Sequence, residues 1–99
     1  MIARIWHGIT EAARADDYLE FLKKTGIPDY RNTDGNLGAY VLRRVVNDKA
    51  HFFTLSFWES LDAVKKFAGE DYQKARYYHQ DKDFLLDFEL TVQHYELFQ

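Results

Sequence analysis

Residues 52–79 read FFTLSFWESLDAVKKFAGEDYQKARYYH, and the change of period inside that stretch decides the fold. Up to Trp58 the bulky groups alternate as in a strand, with Phe53, Leu55 and Phe57 on one side and Phe52, Thr54, Ser56 and Trp58 on the other. Ser60 then stands where a helix N-cap belongs, Asp62 sits where it complements the helix dipole, and Leu61, Val64, Phe67 and Ala68 recur at helical spacing. Gly69 breaks that helix, and the spacing predicts a second helical piece over residues 71–78. The stretch closes on Tyr77, Tyr78 and His79, where a pocket would form.

Upstream, residues 39–46 form a second β-rich segment, joined to residues 51–58 by Asn47, Asp48 and Lys49, which is a hairpin signal. Residues 28–38, PDYRNTDGNLG, hold turn formers without a period and read as a loop. Residues 2–9 alternate as a first strand, and Thr10 is placed to cap a helix with Glu11 in its first turn. Ala15, Tyr18, Leu19 and Leu22 are the buried stripe of that helix, and Lys23 and Lys24 suit its C-terminal end. Gly26 is expected to stop it, with Ile27 supplying the contact of a C-terminal cap and Pro28 forbidding continuation. Downstream come the mixed-charge loop QDKD, the apolar patch Phe84, Leu85 and Leu86, and a last strand over residues 90–98.

The order is βαββαβ, which is an α+β, ferredoxin-like arrangement of one antiparallel four-stranded sheet with helices on one face. Both faces of its strands carry apolar groups: Tyr40, Leu42 and Val46 oppose Ala39, Val41 and Val45, just as the two aromatic rows of residues 52–58 oppose each other. A sheet with one solvated side would be polar on that side, so a second copy of the chain is expected to cover the helix-free face. The 99 residues make one domain, residues 1–99, whose burial is small enough for such a partner to matter.

Composition narrows the function. Aromatic residues are 17% of the chain while its mean hydropathy is -0.50, so the apolar material must be concentrated on particular faces. Thirteen basic residues against sixteen acidic ones, with the basic residues in scattered doublets, argue against nucleic-acid binding. The absence of cysteine excludes thiol nucleophiles, disulfides and Cys-ligated metal centres. No apolar run approaches a membrane span and MIARIWHGI is short for a signal peptide, so a cytoplasmic protein is expected.

Three stretches, MIARIWHG, LSFWESLDAVKKFAGED and ARYYHQDKDFLLDFELTVQHYELF, resemble the antibiotic biosynthesis monooxygenase superfamily. The resemblance implies a homodimer in which paired sheets close an α/β barrel. It also implies a choice among heme degradation, quinone-forming oxygenation and isomerisation. The heme-degrading branch resembles a set of Asn on the first strand, Trp on the helix after the third strand, and a later His. This chain has His7 and Gly8 at the first of those places, Phe67 at the second, and His79 a couple of residues beyond the third.

The expectation that follows is a monooxygenase-type oxidoreductase with no cofactor and no metal, acting on a small aromatic or polycyclic molecule. Such an enzyme sandwiches a flat ring, removes a proton from it and keeps water from the anion. Trp6, Tyr40, Trp58 and Phe67 are the candidate walls, His79 the candidate base, Arg4 or Arg43 the anion stabiliser, and Tyr78 or Tyr77 a hydrogen-bond donor. Each has a plainer reading: core packing for the two Trp and Phe67, a helix-end cap for His79, and structural hydrogen bonding for His94 and Glu96, which share one face of the last strand. His7 and His51 read as ordinary strand residues. The alternative functions are a non-catalytic dimer that holds a small apolar ligand or serves in stress, and heme binding or degradation.

Overall fold

The computed structural model describes residues 1–99. Strand β1 (Ile2–Glu11) lies antiparallel to β3 (Lys49–Trp58) along its whole length, from Ile2 opposite Trp58 to Glu11 opposite Lys49. The other edge of β1 takes β4 (Gln93–Glu96), and β2 (Asn36–Val46) completes the order β2-β3-β1-β4. Between β2 and β3 the chain reverses at Asn47, whose φ of 57° is a left-handed conformation that Asn tolerates better than bulkier residues. The ferredoxin-like α+β fold is therefore present as expected.

Helices α1 (Ala15–Lys24), α2 (Gly26–Arg31) and α3 (Leu61–Ala68) cover one side, with 3-10 turns at Ala12–Arg14 and His79–Asp83. Burial alternates accordingly. Arg4, Trp6, Thr10, Phe52, Thr54, Ser56 and Trp58 are buried towards the helices, while their sequence neighbours Ile5, His7, Phe53, Leu55 and Phe57 stay half-exposed. The core has two clusters along this layer. One joins Trp6, Tyr18, Leu22, Phe52, Leu85 and Val92, and the other joins Ile27, Tyr30, Ala39, Trp58, Ala63 and Val64. Gly8 is needed in the first, since a Cβ there would fall 2.3 Å from the Trp6 indole.

α3 begins as its sequence suggests, with the Ser60 hydroxyl accepting from the Ala63 amide at 3.2 Å. Five local expectations need correction. Thr10 caps no helix: it pairs with Ala50 inside β1, and the ladder continues to Glu11 before the chain turns at Ala12. Gly26 opens α2 instead of ending a helix, because Thr25 closes α1 through its amide and hydroxyl on the Phe21 carbonyl. Residues 28–31 are then helical where the loop over 28–38 was expected to begin, and Pro28 is accommodated because the amides of a first turn have no intrahelical partner to lose.

The helix expected over residues 71–78 is absent. Its backbone turns instead to the chain before β4: Lys74 bridges Thr91, the Ala75 amide donates to Leu90 at 3.0 Å, and the Val92 amide donates to Gln73 at 2.9 Å. Residues 90–92 are thereby diverted from the sheet, which is why β4 is shorter than the 90–98 strand the sequence suggested.

Candidate functional site

Two arrangements on opposite faces of the sheet have the makings of a site. On the helix side, the alternation of β1 sends Arg4 inward, where it is 98% buried by a relative exposure of 2%. Its guanidinium donates to the Tyr30 hydroxyl at 3.3 Å and to the Lys74 carbonyl at 3.5 Å, and lies 5.3 Å from the centre of the Phe67 ring. The Tyr30 and Thr54 hydroxyls are 3.2 Å apart, and the Tyr30 and Phe67 rings pack at 4.5 Å. Trp58 leans on both rings and donates its indole N–H to the Ser56 hydroxyl at 3.0 Å.

Burial draws Arg4 below its usual pKa, opposed by its contact with Tyr30, yet a guanidinium remains charged at neutral pH. A second cation, Arg76, lies over Phe67 and Tyr78. Tyr78 donates to the Asp29 carboxylate, and burial followed by that carboxylate pushes the Tyr78 hydroxyl pKa well up. Opposite Arg4, across the β1/β4 ladder, stands His94. Burial, and then the charge of Arg4, pull its imidazole below the usual value. Two buried atoms in this layer have no hydrogen-bond partner, Arg4 Nε and His94 Nε2.

The expected site residues distribute unevenly. Arg4, Trp58, Phe67 and Tyr78 belong to one connected neighbourhood through Tyr30 and Arg76. Trp6 lies in the other core cluster, its indole N–H donating to the Tyr77 hydroxyl at 3.3 Å. Tyr40 stands on the helix-free face, 55% exposed and edge-on to Phe57. His79 opens the second 3-10 turn and joins none of these hydrogen bonds or ring contacts. Arg43 is tied to Asp16 at 2.7 Å.

On the helix-free face, Ile5, Leu42, Phe53, Leu55 and Tyr95 line an open groove of about 550 Å³. At its edge His7 Nδ1 meets the Glu89 carboxylate at 2.8 Å and His7 Nε2 meets His51 Nδ1 at 3.1 Å, with the two imidazoles stacked. Reasoning on the sequence missed this series, and it missed the pairing of His94 with Arg4. The strand register carries both: His7 and His51 are diagonal neighbours across β1 and β3, and Arg4 and His94 are direct partners.

No family model matches the sequence, and no curated protein matches it. Solved structures do. The chain superposes on the heme-degrader MhuD from Mycobacterium tuberculosis, solved with two hemes bound in its active site, with a TM-score of 0.61 at 20% identity, covering 98% of this chain and 95% of that one. A substituted MhuD with two manganese protoporphyrin IX per active site matches at 0.61 and 21%, covering 98% and 94%. A provisionally assigned antibiotic biosynthesis monooxygenase from Bacillus cereus matches at 0.66 and 14%, covering 99% and 95%. At these identities the likeness is one of fold.

Proposed function

For a chain with the fold of the antibiotic biosynthesis monooxygenase superfamily, we propose a monooxygenase-type oxidoreductase that oxidises a small aromatic or polycyclic phenol without metal or flavin, as a pair of copies with their sheets face to face. The observation that carries this reading is the buried guanidinium of Arg4, held against the Phe67 ring with its Nε unpartnered. A cation kept in an apolar layer stabilises an anion far better than one in water, because nothing else screens it.

The chemistry asks little else of the protein. A phenol that loses its proton becomes electron-rich enough to reduce dioxygen itself. When a ring CH2 is converted to C=O, one oxygen atom enters the product, the other leaves as water, and the substrate supplies all the electrons. Arg4 would stabilise the phenolate, Trp58 and Phe67 would hold the ring, and Tyr78 would donate a hydrogen bond. His79 and Trp6 would act only if a ligand draws the second 3-10 turn and the neighbouring core cluster towards Arg4, and Tyr40 only from the helix-free face.

Pairing of two copies is supported by the exposure of Leu42 and Tyr95 in the groove on that face, and of Tyr40 elsewhere on it. Closing it would remove a row of apolar groups from water. Heme fits less well. In place of the pattern's Asn and Trp this chain has His7 and Gly8, with Gly8 beneath Trp6, and Phe67 packed against the other cluster, while His79 starts a turn a couple of residues beyond the expected His.

An oxygen electrode separates the readings. With a hydroxyanthrone-like substrate in metal-free buffer, one dioxygen consumed per molecule oxidised supports the monooxygenase. Binding of that substrate with no uptake overturns it in favour of a ligand-holding dimer, and a sharp Soret band on hemin titration overturns it in favour of heme.

A further inference from the structure

The two partnerless atoms differ in kind. Arg4 Nε carries a hydrogen and can only donate. His94 sits beside that fixed charge, and both burial and the charge favour its neutral ring, so Nε2 presents a lone pair when the proton is on Nδ1. Arg4 and His94 are direct partners across an antiparallel ladder, which puts their side chains on the same face about 5 Å apart at Cβ. A donor and an acceptor left open side by side are complementary to one group above all, a hydroxyl, which accepts from the first and donates to the second.

There is a way in. His94 forms part of a mostly apolar groove of about 470 Å³ that runs past Ile2, Leu61, Tyr72, Tyr95 and Phe98. The Tyr72 ring meets the imidazole edge-on at 5.2 Å, so a flat ring entering the groove finds aromatic walls and His94, with Arg4 buried behind it as its ladder partner.

We propose that Arg4 and His94 form a phenol hook, in which Arg4 Nε–H donates to the phenol oxygen and His94 Nε2 takes the phenolic proton. The O–H bond breaks with its electron pair left on oxygen, the new N–H bond forms at Nε2, and the phenolate lies between two cations. Net charge at the hook is +1 before and after, so no charge is moved to or from solvent. This rests on the monooxygenase reading for its place in a reaction, and it makes His94 the base that the sequence had sought in His79. The charged and titratable groups around the hook are Tyr30 behind Arg4, Arg76 over Phe67, Lys65 over Tyr72, and Tyr95 and Glu96 beside His94 on β4.

Para-nitrophenol tests the hook without any turnover, because its phenolate absorbs in the visible. Bound to the wild-type chain it is expected to ionise at least tenfold more readily than free in the same buffer. His94→Gln, at a half-exposed position, is expected to bind the probe but lose that tenfold gain. Arg4→Lys, a variant that keeps the charge but removes Nε, is expected to bind it at least tenfold more weakly while retaining the wild-type circular dichroism. Equal ionisation by wild type and His94→Gln, or no binding because the slot holds water alone, overturns the hook. Oxygen uptake that persists while the probe fails leaves the monooxygenase standing without the hook, and a working hook with no uptake does the reverse.

Discussion

One sheet has two unlike faces. Towards the helices, Trp6, Tyr18, Phe52 and Trp58 are buried and most of the polar groups have named partners, Arg4 with Tyr30, Trp58 with Ser56, Tyr18 with Asp81 at 2.9 Å, the exceptions being Arg4 Nε and His94 Nε2. Away from the helices, Phe53, Leu55 and Phe57 are only half-covered and Tyr40 and Leu42 are exposed, with an apolar groove between them. Large apolar residues stand on both faces and alternate along β3, Phe52 and Trp58 on one side, Phe53, Leu55 and Phe57 on the other. What separates them is whether this chain alone supplies a cover. The first face stabilises the chain and holds a buried charge, while the second leaves apolar surface uncovered.

The sharpest contrast comes from two neighbours, Trp58 and Phe57, which point to opposite faces. Trp58→Ala is expected to cost about 3–5 kcal/mol of chain stability in denaturant titration, and Phe57→Ala much less. Equal losses would erase the distinction between the faces. Next, Arg4→Met is expected to slow oxygen uptake by about a hundredfold or more, the scale of removing a group that stabilises developing negative charge. It also removes the donor to the Tyr30 hydroxyl and the Lys74 carbonyl, at a cost of about 1–3 kcal/mol in stability, so uptake is compared well below the variant's melting temperature.

On the other face, Leu42→Asp places a carboxylate in the groove. It is expected to weaken pairing of copies about a hundredfold in sedimentation, from the cost of burying an unpaired charge, while the monomer's circular dichroism is kept. A smaller effect belongs to Asp81, 97% buried by a relative exposure of 3% and accepting from Tyr18 and from the Tyr78 amide at 2.6 Å. Burial raises its pKa against the pull of those donors. The folded chain therefore holds this proton more tightly than the unfolded one, so the associated stability is full below about pH 3.9 and is lost as pH rises through the higher folded value. Asp81→Asn is expected to remove that decline from a series of thermal melts. The smallest change is expected for Arg43→Ala, which breaks an ion pair to the 92%-exposed Asp16 and should cost about 0.2–1 kcal/mol.

The sheet was legible because alternation survives in every strand, and the hairpin because Asn47 and Asp48 interrupt it. What misled lay where tertiary bonds overrule local pattern. Residues 71–78 have helical spacing, but their amides and carbonyls find partners near Leu90 and Val92. Thr10 is a good cap in isolation, yet the β1/β3 ladder keeps it in the strand. Of the candidate site, Arg4, Trp58, Phe67 and Tyr78 come together as a neighbourhood. His94 went unselected because its meaning depends on register: nothing in residues 90–98 says that His94 faces Arg4 until β4 is laid beside β1.

Sedimentation equilibrium of the unaltered chain, run over a range of concentrations, tests the division between the faces most directly. A particle of twice the chain's mass, reduced to a single chain by Leu42→Asp, is the expected result. A single-chain mass at every concentration would mean that the helix-free face stays open to water, and would contradict the account.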